Sequence, residues 1–283
     1  MILQNNLLTV TISDFGAELK SIKDANQTEY LWQADERYWN KTSPILFPIV
    51  GSLKNNTYTY DGKQYHLPRH GFARDYEFVG EQISETEAIF TLEADTETLK
   101  VYPFLFKLSL HYQLINTTLS CNYIVYNLDN KKMPFCIGGH PAFSLPDGMV
   151  NYELYFNNDT ILNRLELTDK GLINDKVETI SLDNQYLPLN HKLFYNDALV
   201  FRDLKSTEIA ILNKQKKQML NFSFEGFTHF GIWSAKNAPF ICLEPWCGMA
   251  DLQNHNQKIE EKEGIITTNP SDKITKKWNI RIE

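Results

Sequence analysis

Cysteine is scarce in this chain. The 283 residues hold only four, Cys121, Cys136, Cys242 and Cys247, with neither CxxC spacing nor the regular pattern of a disulfide framework. Free thiols in a reducing compartment are the expectation. Long apolar runs are missing too: none approaches the roughly 20 residues a bilayer-spanning helix needs. The opening MILQNNLLTVTI lacks the charged n-region and long apolar h-region of a secretion signal, so a soluble cytoplasmic protein without membrane partners is expected. There is no excess of positive charge. A formal net charge of -7 argues against a nucleic-acid-binding surface, which would be basic, and the one dense basic run, KQKKQ at 214–218, reads as a solvated hairpin turn. No Gly/Ser linker, composition break or fixed-period repeat divides the chain, so one domain over 1–283 is expected. Helical periodicity is thin, its best candidates being short pieces near 95–102 and 35–41.

Hydrophobic and aromatic residues are present in quantity, 42% and 13%, enough for a large core. Their arrangement has period two. Leu8, Val10 and Ile12 alternate with threonines. Phe106, Leu108, Leu110, Tyr112 and Leu114 alternate with polar residues, as do Leu119, Cys121, Tyr123 and Val125, and later Trp278, Ile280 and Ile282. Such alternation marks half-buried strands of antiparallel sheets. Asp61-Gly62 inside TYTYDGKQYHL reads as a tight hairpin, and NLDNKKMP joins two further runs. The predicted fold is all-β, a large antiparallel β-sandwich with sheets packed face to face.

Three stretches place polar residues among glycines, prolines and apolar side chains. LPRHGFARD (67–75) carries His70 and Arg74, FCIGGHPAFSLP (135–146) carries His140, and PFICLEPWCG (239–248) carries Glu244. Glycine permits close backbone approach and proline stiffens a loop, so such flanks can fix a side chain's orientation. An ionised carboxylate in apolar surroundings must neutralise, find partners or do chemistry. ICLEPWCG does not alternate cleanly, which leaves the face occupied by Glu244 open; it is expected on a strand ending in a turn begun by Pro245 and completed by Gly248. Two histidines and a carboxylate can form a general acid/base set. The competing readings are loop hydrogen-bonding and a zinc site, and the HxxxH or HExxH spacing that favours a metal is missing.

Taken together and in order, FGAELKSI, EYLWQAD, SPILFPIVGSLKNNTYTYDGKQYHLPRHGFARD, GGHPAFSLP, NDALVFRDL and ICLEPWCGMAD resemble the galactose mutarotase-like (aldose 1-epimerase) superfamily, most closely its LacX-type branch. The resemblance covers essentially the whole chain. It implies the antiparallel supersandwich fold and interconversion of the α and β anomers of a hexose or, in related branches, a hexose 6-phosphate. It implies no redox cofactor and no metal in the chemistry. It also implies Glu244 as general base, His140 as general acid, His70 as a second histidine near the sugar ring oxygen, and Asp197, in NDALVF, as a carboxylate for sugar hydroxyls. One departure is Ser52, where many family members carry arginine; Arg74 is a candidate for the missing positive donor.

Anomer exchange needs a proton removed from the C1 hydroxyl and one delivered to the ring oxygen, tasks for a carboxylate and an imidazolium. The expectation is that Glu244 favours the charged form of His140, while His140 and Arg74 keep Glu244 ionised. Trp246, Phe72, Phe143 and Trp233 are candidates for stacking on a pyranose. Arg69, Arg74 and Lys54 are candidates for binding a sugar phosphate, if two or more converge. A sugar-binding protein without turnover is the third reading, and a monomer and a homodimer are equally compatible with exposed edge strands.

Overall fold

The structure, a computed structural model, describes residues 1–215 and 217–283. Antiparallel strands dominate. Phe106–Ile115 and Thr118–Asn127 pair over their whole length around Asn116-Thr117 and form the middle of a nine-stranded sheet. Lys273–Ile282 lies on the other side of Thr118–Asn127, with Cys121 opposite Trp278. The alternation read from the sequence is the burial pattern here: Leu108, Leu110, Tyr112 and Leu114 are buried, as are Leu119, Cys121, Tyr123 and Val125. This apolar face packs on an eight-stranded sheet built around Phe240–Cys247 and His229–Trp233. Aromatic pairs bridge the layers, among them Phe222–Phe230 and Phe47–Phe106, with ring centroids 6.3 and 5.1 Å apart.

The turn chemistry holds. Asp61 and Gly62 take φ of 49° and 70°, the left-handed pair a type I′ hairpin requires, and join Thr57–Tyr60 to Lys63–His66. NLDNKKMP joins Thr118–Asn127 to the short strand Met133–Phe135. The basic run at 214–218 lies between Glu208–Asn213 and Gln218–Ser223, which pair antiparallel; its Lys216 lies outside the described residues. The two helical candidates part company. Thr98–Val101 is a single helical turn, whereas 35–41 forms only a turn in which Asp35 accepts from the Tyr38 and Trp39 amides. Thr42 and Ser43 then donate to Glu18 instead, and Pro44 follows, so the chain leaves the helical path. No described helix is long and apolar enough to cross a membrane.

Candidate active site

Phe240–Cys247 is buried at every position, and this is why its alternation was invisible in sequence. Ile241, Leu243 and Cys247 belong to the inter-sheet core, while Phe240, Cys242 and Trp246 belong to clusters on the opposite face. Glu244 has the parity of the second set and lines a pocket with Trp246. The face alternates while the polarity does not, because both faces are covered. Pro245 does not begin a turn, contrary to expectation. The Leu243 amide donates to the Pro141 carbonyl, so the Pro245 nitrogen, two residues on, faces the same side. There the neighbouring chain is interrupted between Ile137–Gly139 and Ala142–Ser144, and a missing N–H costs no ladder bond.

That interruption carries His140. A Cβ on Gly138 would sit 2.6 Å from Trp246 Cδ1, and one on Gly139 2.5 Å from Tyr123 Oη. Only glycines let this segment pass between the two layers and set His140 against the carboxylate. His140 Nε2 lies 3.2 Å from Glu244 Oε2. The Trp39 ring tilts against the imidazole at a centroid distance of 4.8 Å, and Trp233 meets it edge-on at 5.6 Å.

His70 comes from the loop after Lys63–His66 and meets His140 at 5.9 Å, ring edge to face. Its φ is +70°, a sparsely populated conformation for a non-glycine residue. Gly51 holds it there: the His70 amide donates to the Gly51 carbonyl at 2.9 Å, and the Gly51 amide donates to His70 Nδ1 at 3.2 Å. A neutral imidazole accepts at one nitrogen only. Arg69 Nε also reaches His70 Nε2, at 3.3 Å, but its side chain is half exposed and can turn away, while a backbone amide cannot. Gly51 therefore sets the tautomer, with the proton on Nε2.

Asp197 is also left-handed, with φ +73°, and accepts from the Ala198 amide at 2.8 Å. Arg69 spans to it, Nη1 to Oδ2 3.4 Å. Arg74 Nη2 donates to the Arg69 carbonyl at 2.8 Å, so the two guanidinium groups share one wall. All five residues singled out in the sequence, His70, Arg74, His140, Asp197 and Glu244, line a single cavity of about 550 Å³ together with Arg69, Trp39, Trp233 and Trp246. Apart from the 3.2 Å contact of Glu244 Oε2 with His140 Nε2, Glu244 Oε2, His140 Nδ1, Arg74 Nε and Trp246 Nε1 are buried there without a hydrogen-bond partner among the described residues. Unsatisfied buried polar atoms are rare, and their convergence on one cavity marks a site for a polar ligand.

The charge states differ from the sequence expectation. Burial, followed by the Arg69 and Arg74 charges, pushes His140 down to about 3, although its own backbone favours the charged form. Burial pushes Glu244 well up, the Arg69 charge opposing and Asp197 reinforcing. Burial and the Arg69 charge hold His70 well below the usual range. Burial thus disfavours the charged form of both the imidazole and the carboxyl in the free pocket, and works against an imidazolium–carboxylate pair there.

Several other expectations are corrected. Phe72 packs in the core against Phe47 and Phe106, and Phe143 against Phe222; neither reaches the pocket, whereas Trp233 and Trp246 do. Lys54 Nζ donates to the His255 carbonyl and does not line it. Ser52 is buried beside Gly171, and a Cβ on that glycine would lie 3.0 Å from Ser52 Oγ and 3.5 Å from Arg69 Nη1. Arg69, rather than Arg74, is thus the cation next to Ser52. Sequence reasoning missed Trp39 altogether. For a metal, His140, Cys242 and Glu244 bring ligand atoms within 4.8 Å of one another. Burial pushes the Cys242 thiol well up and two guanidinium groups face the pocket, and both oppose a cation.

Comparison with known proteins identifies the family. Residues 1–277 match the aldose 1-epimerase family. The chain belongs to that family. This aldose 1-epimerase family member is 35% identical to the plasmid-encoded protein LacX of Lactococcus lactis subsp. lactis, over 99% of this chain and 98% of that protein. Its fold superposes on a galactose mutarotase related enzyme from Lactobacillus acidophilus with a TM-score of 0.95 at 33% identity, covering 100% of this chain and 97% of the other. A galactose mutarotase-like protein from Lactobacillus casei ATCC 334 gives 0.94 at 30%, covering 100% and 99%. The antiparallel sandwich of the family member described here is that of its relatives.

Proposed function

We propose that this protein is a cytoplasmic aldose 1-epimerase, interconverting the α and β anomers of a free hexose by general acid/base ring opening and closure. The observation that carries the reading is the His140–Glu244 pair, 3.2 Å apart on the wall of a cavity whose buried polar atoms lack partners. Neutral imidazole plus protonated carboxyl holds one proton, as does imidazolium plus carboxylate. Transfer of that proton from Glu244 to His140, favoured when sugar hydroxyls solvate both groups, arms the pair. Glu244 then takes the proton from O1, His140 Nε2 gives its proton to O5, the C1–O5 bond breaks and C1=O1 forms. The pair is now neutral again, the form that burial of both groups favours. Rotation about C1–C2 and the reverse steps close the other anomer. Two placed proton-transfer groups, each contributing typically about 100- to 10,000-fold, supply a large acceleration without a cofactor. His70, with its proton on Nε2, serves as a donor near the ring oxygen, Asp197 and Arg74 hold hydroxyls, and the three tryptophans offer faces for the pyranose.

A second reading, a hexose-6-phosphate mutarotase, is favoured by one observation: Arg69 and Arg74 both line the cavity, and paired guanidinium groups suit a phosphate. One experiment tests both. Anomer equilibration of galactose, glucose and their 6-phosphates is followed by polarimetry or NMR with wild type and Glu244→Gln. Acceleration of the free hexoses, lost in the variant, is the expected result. Acceleration confined to the phosphates selects the second reading, and no acceleration of any of them overturns both.

A further inference from the structure

Asp251 closes the last motif singled out in the sequence, yet it lies outside the pocket and is fully buried. Its carboxylate accepts from Lys262 Nζ at 2.8 Å through Oδ1 and from the Lys54 amide at 2.9 Å through Oδ2. Lys262 is buried as completely as its partner. The Asp251 amide donates to the Ser52 carbonyl and its carbonyl accepts from Ile173. This one residue therefore ties both ends of Ser52–Lys54, the loop that begins at Gly51. A Cβ on Gly51 would fall 2.4 to 2.6 Å from Ala250 atoms, so Gly51 is seated directly on the residue before Asp251. Gly51 in turn supplies the amide and the carbonyl that hold His70 left-handed and fix its tautomer.

We propose that Asp251, neutralised by Lys262, is a positioning residue for His70, acting through the Gly51–Lys54 loop. A buried ion pair is costly and is often replaceable by apolar residues without loss of stability. Here its geometry serves alignment: the carboxylate accepts from the loop at Oδ2, with His255 Nδ1 3.4 Å away, and from the Lys262 ammonium at Oδ1. The inference rests on the proposed epimerase reading only for its kinetic readout.

The test compares two double variants. Asp251→Asn/Lys262→Met keeps an acceptor for the Lys54 amide and leaves no unpaired charge. Asp251→Ala/Lys262→Met removes the acceptor as well. With the better hexose from the equilibration assay, the Asn variant is expected within about threefold of wild-type kcat/KM, and the Ala variant about 10- to 100-fold lower, the loss expected for a misplacement on the order of 1 Å. In ¹⁵N NMR of histidine-labelled protein, the His70 ring nitrogens should report a single Nε2–H tautomer in wild type and the Asn variant, and a mixture in the Ala variant. That spectrum reads the proposal even if no sugar turns over. Should the Ala variant fail to fold, Lys54→Pro deletes the loop's amide donor and leaves the ion pair, with the same shift expected, and Lys54→Met, which loses only the Nζ bond to the His255 carbonyl, is its control. An Ala or Pro variant with native His70 nitrogen shifts and native kcat/KM overturns the proposal.

Discussion

Replacing Glu244 by glutamine tests the charge state of the pocket separately from the chemistry. The side chains are nearly isosteric and Glu244 is buried, so packing changes little. Glu244 has its ordinary value of 4.5 when unfolded and is raised well above it when folded. Between those two values the native protein holds one proton more than the unfolded chain, so wild-type stability from this group falls as pH rises. Glutamine has no such dependence. Glu244→Gln should therefore gain stability relative to wild type as pH rises above the ordinary glutamate range, by at most about 1 kcal/mol per pH unit and until the folded carboxyl itself titrates. Urea denaturation of both proteins at pH 5, 6 and 7 measures the difference curve, and polarimetry should show anomer exchange reduced by about 100-fold or more. A difference curve that is flat, or that slopes the other way, would mean that Glu244 is ionised in the free pocket as the partner of an imidazolium. The neutral-pair account would then be wrong.

Three other outcomes are expected. His140→Asn should lower the exchange rate by about 100-fold or more; because the native imidazole titrates only near about 3, the variant should also resist acid better than wild type between pH 6.5 and 4, as urea midpoints will show. His70→Asn should weaken both kcat and KM for the hexose, and unchanged values of both would remove His70 from the site. Gly51→Ala, at φ +72° with Ala250 atoms in the way, should destabilise by about 3 kcal/mol or more, read as a lowered denaturation midpoint.

How much of this was legible beforehand depended on where each signal resides. Strands with one wet face, such as Phe106–Ile115, announce themselves by alternation. The strand bearing Glu244 does not, since Cys242 and Trp246 on its site face are as apolar as Ile241 and Leu243 on its core face. The motifs named the residues of the pocket but not their protonation, because desolvation is a property of what surrounds a group. Trp39 escaped notice since a lone tryptophan beside a turn has no local signature; its position over His140 is set by the Trp32 indole N–H donating to its carbonyl and by the Phe240 ring stacked on it. Arg69 could be weighed only as a phosphate ligand, as nothing in linear order shows that it meets Asp197, 128 residues away.

The strand Phe240–Cys247 also bears on how this fold can change its trade. Ile241, Leu243 and Cys247 of that strand are keystones of the inter-sheet core, so Glu244 cannot be shifted without disturbing the sandwich. The walls facing it are otherwise: Trp39, Arg69 and Asp197 sit on connecting segments whose lengths and sequences can drift cheaply. New sugars are therefore accommodated from the rim inward, while the proton-transfer centre is inherited with the fold.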